Sequence, residues 1–140
     1  MKTNSTIIPT MKYKNATAAV DWLSLAFGFK KKLVVPDDHG GILHAQLILG
    51  SGMIMISSES DTPYGRLMAV PRDIDNLNTQ SANIILDDDQ VKSHYNQAIK
   101  AGAKIAIPLE KQKYGGQSYS VFDPEGHLWN FGSYNPWEEV

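Results

Sequence analysis

A chain of 140 residues, 42% of them hydrophobic and 20% charged, has the size and composition of one globular domain with a single core. Its formal net charge of −2 argues against a nucleic-acid partner, and no stretch approaches the roughly 18 apolar residues of a membrane span. Cysteine is absent, which excludes disulfides and thiolate chemistry. The N-terminus lacks the apolar segment of a signal peptide, so we expect a cytoplasmic protein with no nucleic-acid and no membrane partner.

The first half of the chain predicts a strand, a helix and three further strands. Residues 7–13 alternate well enough for a strand, and Asn15 is a favourable helix N-cap. Residues 16–27 place their apolar side chains on one helical face, and Gly28 ends that helix. The three strands that follow are predicted at residues 32–35, 43–49 and 53–57.

The second half repeats this order. A strand, a helix, a strand and a hairpin are predicted at residues 82–86, 90–100, 105–109 and 118–133. Three pairs of landmarks keep the same separation of 74 positions: Asn15 and Asp89, Gly28 and Gly102, Gly52 and Gly126. Such a repeat predicts an α+β fold of two βαβββ modules within one domain. We place module one at about residues 5–60, a linker at 61–80 and module two at about 81–135.

Two stretches resemble a known family. They are residues 18–29, with Ala-Ala-Val-Asp-Trp followed by Ala-Phe-Gly-Phe, and residues 122–129, Phe-Asp-Pro-Glu-Gly-His-Leu-Trp. On these residues the chain resembles the vicinal oxygen chelate superfamily of glyoxalases, bleomycin resistance proteins and dioxygenases, and most closely its PhnB-like branch. The resemblance covers about residues 7–134. It implies two βαβββ modules that form a half-open, curled mixed sheet, and a homodimer with two equivalent pockets.

The resemblance also implies where metal ligands would stand. In metal-dependent members, four side chains drawn from His, Glu and Gln hold a divalent ion at the base of the cup. Carried over one at a time, these positions are Ile8, Ile56, Asn83 and Asn130. If the register shifts by one residue, Met55 replaces Ile56 and Ala82 replaces Asn83. None is a histidine or a carboxylate, which transition-metal sites require. We therefore expect no metal and no other cofactor; a divalent metal enters only if the protein is an enzyme.

A set of candidate ligand-binding residues follows from the same resemblance. Lys12 lies on the strand face of Ile8 and Thr10, which lines the cup in the family, so it could meet an anionic group; a solvated strand-end lysine is the alternative. A two-residue turn in the last hairpin would pair Tyr119 with Asn130, whereas a bulge would move Tyr119 to the other face. In relatives, linker and tail residues often close the pocket. The predicted set is Asn130, Asn83, Lys12, Tyr119, Tyr64 and Trp137.

Three functions fit these features. The first is a metal-independent small-molecule binding protein that sequesters an aromatic or amphipathic compound. The second is a lyase or dioxygenase of the same superfamily with an atypical or absent metal site, whose catalytic residues the sequence does not identify. The third is a structural or regulatory dimer. The missing metal ligands favour the first.

Overall fold

A computed structural model describes residues 4–138 and shows the same order of elements in each half of the chain. The first half contains β1 (Thr10–Tyr13), α1 (Ala16–Phe27), β2 (Lys30–Pro36), β3 (Ile42–Leu49) and β4 (Gly52–Ser58). The second half contains β5 (Ala82–Ile85), α2 (Val91–Lys100), β6 (Lys104–Lys111), β7 (Gln117–Phe122) and β8 (Leu128–Gly132). No helix within residues 4–138 combines the length and the apolar character that crossing a membrane requires.

Each half forms its own four-stranded mixed sheet, and neither sheet closes on itself. Sheet 1 has the strand order β1-β4-β3-β2, and sheet 2 has the order β5-β8-β7-β6. In both sheets the first and last strands of the module pair in parallel, and the other pairs are antiparallel. The predicted α+β fold with two βαβββ modules is confirmed.

Strand boundaries differ from the predictions where the backbone, and not side-chain alternation, decides the pairing. β1 begins at Thr10 because Pro9, which has no N–H group, cannot donate to a ladder. β2 and β6 are longer than predicted, since their pairing with β3 and β7 continues through charged and proline residues. Helix α1 matches its predicted span: the Asn15 side chain accepts from the Ala18 N–H at 3.1 Å, and Gly28 ends the helix with φ of 88°.

One hydrophobic core joins the two modules. The buried face of α1 packs on sheet 1, and Phe27 at its end reaches the rings of sheet 2. The Phe27 ring centroid lies 5.4 Å from that of Trp129 and 4.8 Å from that of Phe131. Both sheets therefore contribute one face to a shared core with the helices, and the other face of each sheet is open.

The turn between β7 and β8 (Asp123–His127) fastens sheet 2 to the start of α1. The Glu125 carboxylate accepts from the backbone N–H groups of Lys14 and Asn15. The His127 Nε2 atom donates to the Lys12 carbonyl oxygen at 2.9 Å, on the outer edge of β1. The last turn of module two thus covers the edge strand of module one, which limits unwanted strand pairing there.

Candidate functional site

The open faces of the two sheets carry the polar side chains that the helices leave uncovered. Strand pairing places the side chains that share the open face of sheet 1 at Thr10, Lys12, His44, Gln46, Met55 and Ser57. The corresponding set on sheet 2 is Asn83, Ile85, Ser118, Ser120, Phe122, Leu128 and Asn130. Alternate residues of the same strands face the core, as expected for sheets buried on one side only.

A cavity of about 210 Å³ lies on the open face of sheet 1. The segment between the modules supplies its roof through Tyr64 and Met68. The Tyr64 hydroxyl lies 2.7 Å from Thr10 Oγ1, and this hydrogen bond ties the roof to the strand below. The full lining is Thr10, Met11, Lys12, His44, Met55, Ile56, Ser57, Tyr64 and Met68.

Lys12 is buried in the floor of this cavity, with only 7% of its surface exposed. Its Nζ atom donates to Ser57 Oγ at 2.8 Å and lies 3.5 Å from the Ser58 carbonyl oxygen. The same atom lies 5.4 Å from the centre of the Tyr64 ring, a cation–π distance. The alternative of a solvated lysine at a strand end is therefore wrong.

On sheet 2, the two predicted asparagines are neighbours. Asn83 and Asn130 are register partners across the parallel pair β5–β8 and share the open face. The Asn130 side chain accepts from Ser120 Oγ at 2.6 Å and donates to Ser81 Oγ and to the Ala82 carbonyl oxygen. Both amide hydrogens of Asn130 are thus used within the protein, while the exposed Asn83 presents its amide outward.

The prediction that Tyr119 pairs with Asn130 is wrong. Five residues connect β7 to β8, because Phe122 pairs with Leu128, and this connection pairs Ser120 with Asn130 instead. Tyr119 lies on the helix face, fully buried, and its hydroxyl contacts His94 Nδ1 at 2.6 Å. Burial raises the pKa of the Tyr119 hydroxyl. Ser120 occupies the open-face position that the prediction of a two-residue turn had given to Tyr119.

The metal-ligand position predicted at Ile56 is also on the wrong face. Ile56 is buried against the helices, and its neighbour Met55 stands on the open face. The separation of 74 fails here because module one joins β3 to β4 by two residues, whereas module two uses five. The Ile8 position lies before β1 begins.

The side chains at these open-face positions do not fit a divalent cation. They offer a thioether from Met55 and neutral amides from Asn83 and Asn130, and the ammonium group of Lys12 stands beside Met55. Divalent transition metals require imidazole, thiolate or carboxylate donors. Within residues 4–138, no group of three or more His, Asp or Glu side chains could hold a metal ion.

A larger cavity, of about 440 Å³, lies between α1 and the β7–β8 turn. Its apolar wall includes Ala18, Trp22 and Leu23. The carboxylates of Asp123 and Glu125 also line it, but both are engaged by hydrogen bonds within the protein. We therefore assign the candidate site to the open faces. Trp137 lines neither cavity and is 88% exposed, so its predicted contact with a ligand stays a prediction.

Comparison with known proteins gives consistent relationships. The family model of the Glyoxalase/Bleomycin resistance protein/Dioxygenase superfamily matches residues 10–131. The crystal structure of TioX from Micromonospora sp. ML1 is 30% identical with a TM-score of 0.73, covering 94% of this chain and 100% of that chain. The uncharacterized protein Rv0887c of Mycobacterium tuberculosis (strain ATCC 25618 / H37Rv) is 27% identical over 124 residues, covering 89% of this chain and 71% of that protein.

A more distant structure shows the fold alone. A mutant of the fosfomycin resistance protein FosX from Listeria monocytogenes, solved with Mn(II) and 1S,2S-dihydroxypropylphosphonic acid, is 14% identical with a TM-score of 0.67. The match covers 97% of this chain and 94% of that chain.

Proposed function

This chain belongs to the Glyoxalase/Bleomycin resistance protein/Dioxygenase superfamily, and we propose that it is a metal-independent small-molecule binding protein. The observation that carries the proposal is the cavity on the open face of sheet 1, which combines thioether walls with polar side chains from the strands and a Tyr64 roof. Ligand pockets combine apolar walls with polar groups that fix the orientation of the ligand. The protein would act by burying an aromatic or amphipathic compound, with no covalent step. The motif at residues 122–129 supports a place in the PhnB-like branch.

The test is a thermal-shift screen of aromatic and amphipathic compounds on protein pretreated with EDTA, followed by calorimetric titration of any hit. We expect the affinity to be the same with and without the chelator. Asn83→Leu removes an amide from the open face of sheet 2, which the dimer proposed below would set opposite the cavity, and should weaken binding about fivefold, the value of one hydrogen bond. The matched control is Asn96→Leu, an exposed change on α2 that should leave affinity unchanged. Binding that disappears with EDTA, or a full equivalent of removable metal, would favour the lyase or dioxygenase alternative.

We further propose that the complete pocket is built by a homodimer. The open faces of sheet 1 and sheet 2 point away from each other, so one chain cannot enclose a ligand between them. Sheet 1 of one copy facing sheet 2 of a second copy would enclose it. The edge strands carry exposed apolar side chains towards the same faces, Leu33 on β2 and Ile107 on β6, which such pairing would cover.

Light scattering coupled to gel filtration tests this arrangement. We expect a mass of twice the 15.5 kDa of one chain at micromolar concentration. Ile107→Lys places a charge in the proposed interface and should shift the protein towards monomer, whereas Ile99→Lys on α2 should not. A wild-type monomer under these conditions would rule the shared pocket out.

A further inference from the structure

Lys12 is a buried cation with no anion beside it among residues 4–138. None of the salt bridges within this range involves Lys12, although the residue is only 7% exposed. Its ammonium group contacts the Ser57 hydroxyl, the more distant Ser58 carbonyl oxygen and the face of the Tyr64 ring. Burying an ammonium group without a counter-charge lowers the stability of the fold, and an apolar side chain of the same length would avoid this cost. The fold by itself therefore gives no reason for a lysine at this position.

Among the residues that the structure describes, no acidic side chain lines the cavity above Lys12. Its titratable lining residues are Lys12, His44 and Tyr64, and none is a carboxylate. The Ser57 hydroxyl on the neighbouring strand contacts the ammonium, and the hydrogen-bonded hydroxyl groups of Thr10 and Tyr64 belong to the same cavity. An anion that entered here would meet one full positive charge and several hydrogen-bond donors. One charge matches a singly charged group such as a carboxylate better than a dianion.

The apolar residues of the lining indicate what chemical group would adjoin the anionic end of such a ligand. Met55 and Met68 present flexible, polarizable thioethers, which adapt to planar apolar groups. The volume of about 210 Å³ is below the roughly 300–1,000 Å³ of sites that hold a whole drug-sized molecule. The cavity therefore suits one end of a ligand, while the remainder would extend along the open face.

We propose that this cavity binds the carboxylate end of a small organic acid, with a carboxylate oxygen on Lys12 Nζ and Ser57 Oγ and the adjoining apolar group against Met55 and Met68. The inference rests on the proposed binding function and adds the charge of the ligand to it. Lys12 holds its position through Ser57, so the charged atom already stands where the carboxylate would arrive. Such preorganisation reduces the entropy lost on binding.

The experiment titrates the full ¹⁵N-labelled protein with benzoate and, separately, with benzamide, which has nearly the same shape and no charge. We expect benzoate to shift the amide resonances of Lys12, Ser57 and Met55 with a dissociation constant at least about tenfold below that of benzamide, as a hydrogen bond to a charged group predicts. Lys12→Met should reduce this preference to less than about twofold. The matched control Lys32→Met, an exposed lysine on β2, should retain it.

The folding of the variant is controlled in the same experiment. Lys12→Met removes a buried charge, so its thermal midpoint without ligand should equal or exceed that of the wild type. Ser57→Ala provides a second variant that retains the charge, and it should weaken benzoate binding several-fold while leaving benzamide binding unchanged. Equal binding of both probes at these amides would overturn the charge assignment and leave the proposed binding function standing. The charge assignment would also be overturned if Lys12→Met still preferred benzoate, or if neither probe shifted these amide resonances. The compound screen tests the binding function separately.

Discussion

Replacing Asp123 with alanine should lower the free energy of unfolding by about 3–5 kcal/mol, since it would leave several buried donors without an acceptor. The Asp123 carboxylate accepts from the Tyr13 hydroxyl at 2.6 Å and from Trp129 Nε1 at 3.0 Å. It also accepts from the backbone N–H groups of Glu125 and His127 at 3.0 and 3.1 Å. Burial first, and then the charge of Asp123, raises the pKa of the Tyr13 hydroxyl, which therefore stays protonated and donates.

Urea unfolding followed by tryptophan fluorescence measures this loss. Asp123→Asn should cost less than Asp123→Ala, because its oxygen can still accept from the turn while its NH₂ group opposes the Trp129 N–H. Asp38→Ala, an exposed loop change, should stay within about 0.5 kcal/mol of wild type. If Asp123→Ala loses no more free energy of unfolding than Asp38→Ala, the hydrogen bonds of this turn do not stabilise the contact between the modules.

Phe27→Ala should lower the free energy of unfolding by a similar amount, about 3–5 kcal/mol, because the truncation leaves a cavity at the contact between the modules. The Phe27 ring packs against Trp22, with centroids 5.1 Å apart, as well as against Trp129 and Phe131. It also stacks on the His94 ring of α2 at 6.2 Å. Losing the ring removes contacts to both helices and to sheet 2 at once.

The control for Phe27→Ala lies two residues earlier on the same helix. Leu25 is 66% exposed, so Leu25→Ala should change the free energy of unfolding by less than about 0.5 kcal/mol. Calorimetric unfolding of both variants gives the comparison. We also expect the Phe27→Ala transition to stay single, because the core is continuous between the modules. Two separate transitions would show that the modules unfold independently.

Local periodicity was enough to predict the order of elements, because α1 and the inner strands of both sheets each have one buried face. Helix α1 shows this most clearly, because its apolar face, its Asn15 cap and its end at Gly28 were all predicted from local sequence. Strand alternation likewise placed Lys12 on the face of Thr10, and both line the same cavity.

The prediction failed at the length of one turn, and that length determines which site residues of β7 face the open side of the sheet. Asp123 to His127 could close a hairpin with two or with five connecting residues, and the choice exchanges the faces of Tyr119 and Ser120. The five-residue form is held by contacts to Asn78 and Tyr13, which lie far away in sequence. Local residue preferences contain no information about such partners.

His94 shows the same limit. The imidazole bridges the modules, with Nδ1 at the Tyr119 hydroxyl and Nε2 at 2.8 Å from the Phe27 carbonyl oxygen, and these partners lie 25 and 67 positions away in the sequence. Burial lowers the pKa of His94, so the neutral ring that joins the modules is favoured. The burial of Lys12 could not be predicted from local sequence either, because Tyr64 in the linker forms the roof over it.

The fastening of β1 by the β7–β8 turn has a consequence for synthesis on the ribosome. The bonds from Asp123, Glu125 and His127 reach residues 110 to 115 positions earlier in the chain. Strand β1 therefore emerges from the ribosome long before its outer edge can acquire its final cover. Closing so long a loop is slow, because chain entropy is lost before the contacts form. A nascent chain that has released only module one presents an uncovered strand edge, and the protein becomes safe from edge-to-edge association only when the last hairpin has been translated.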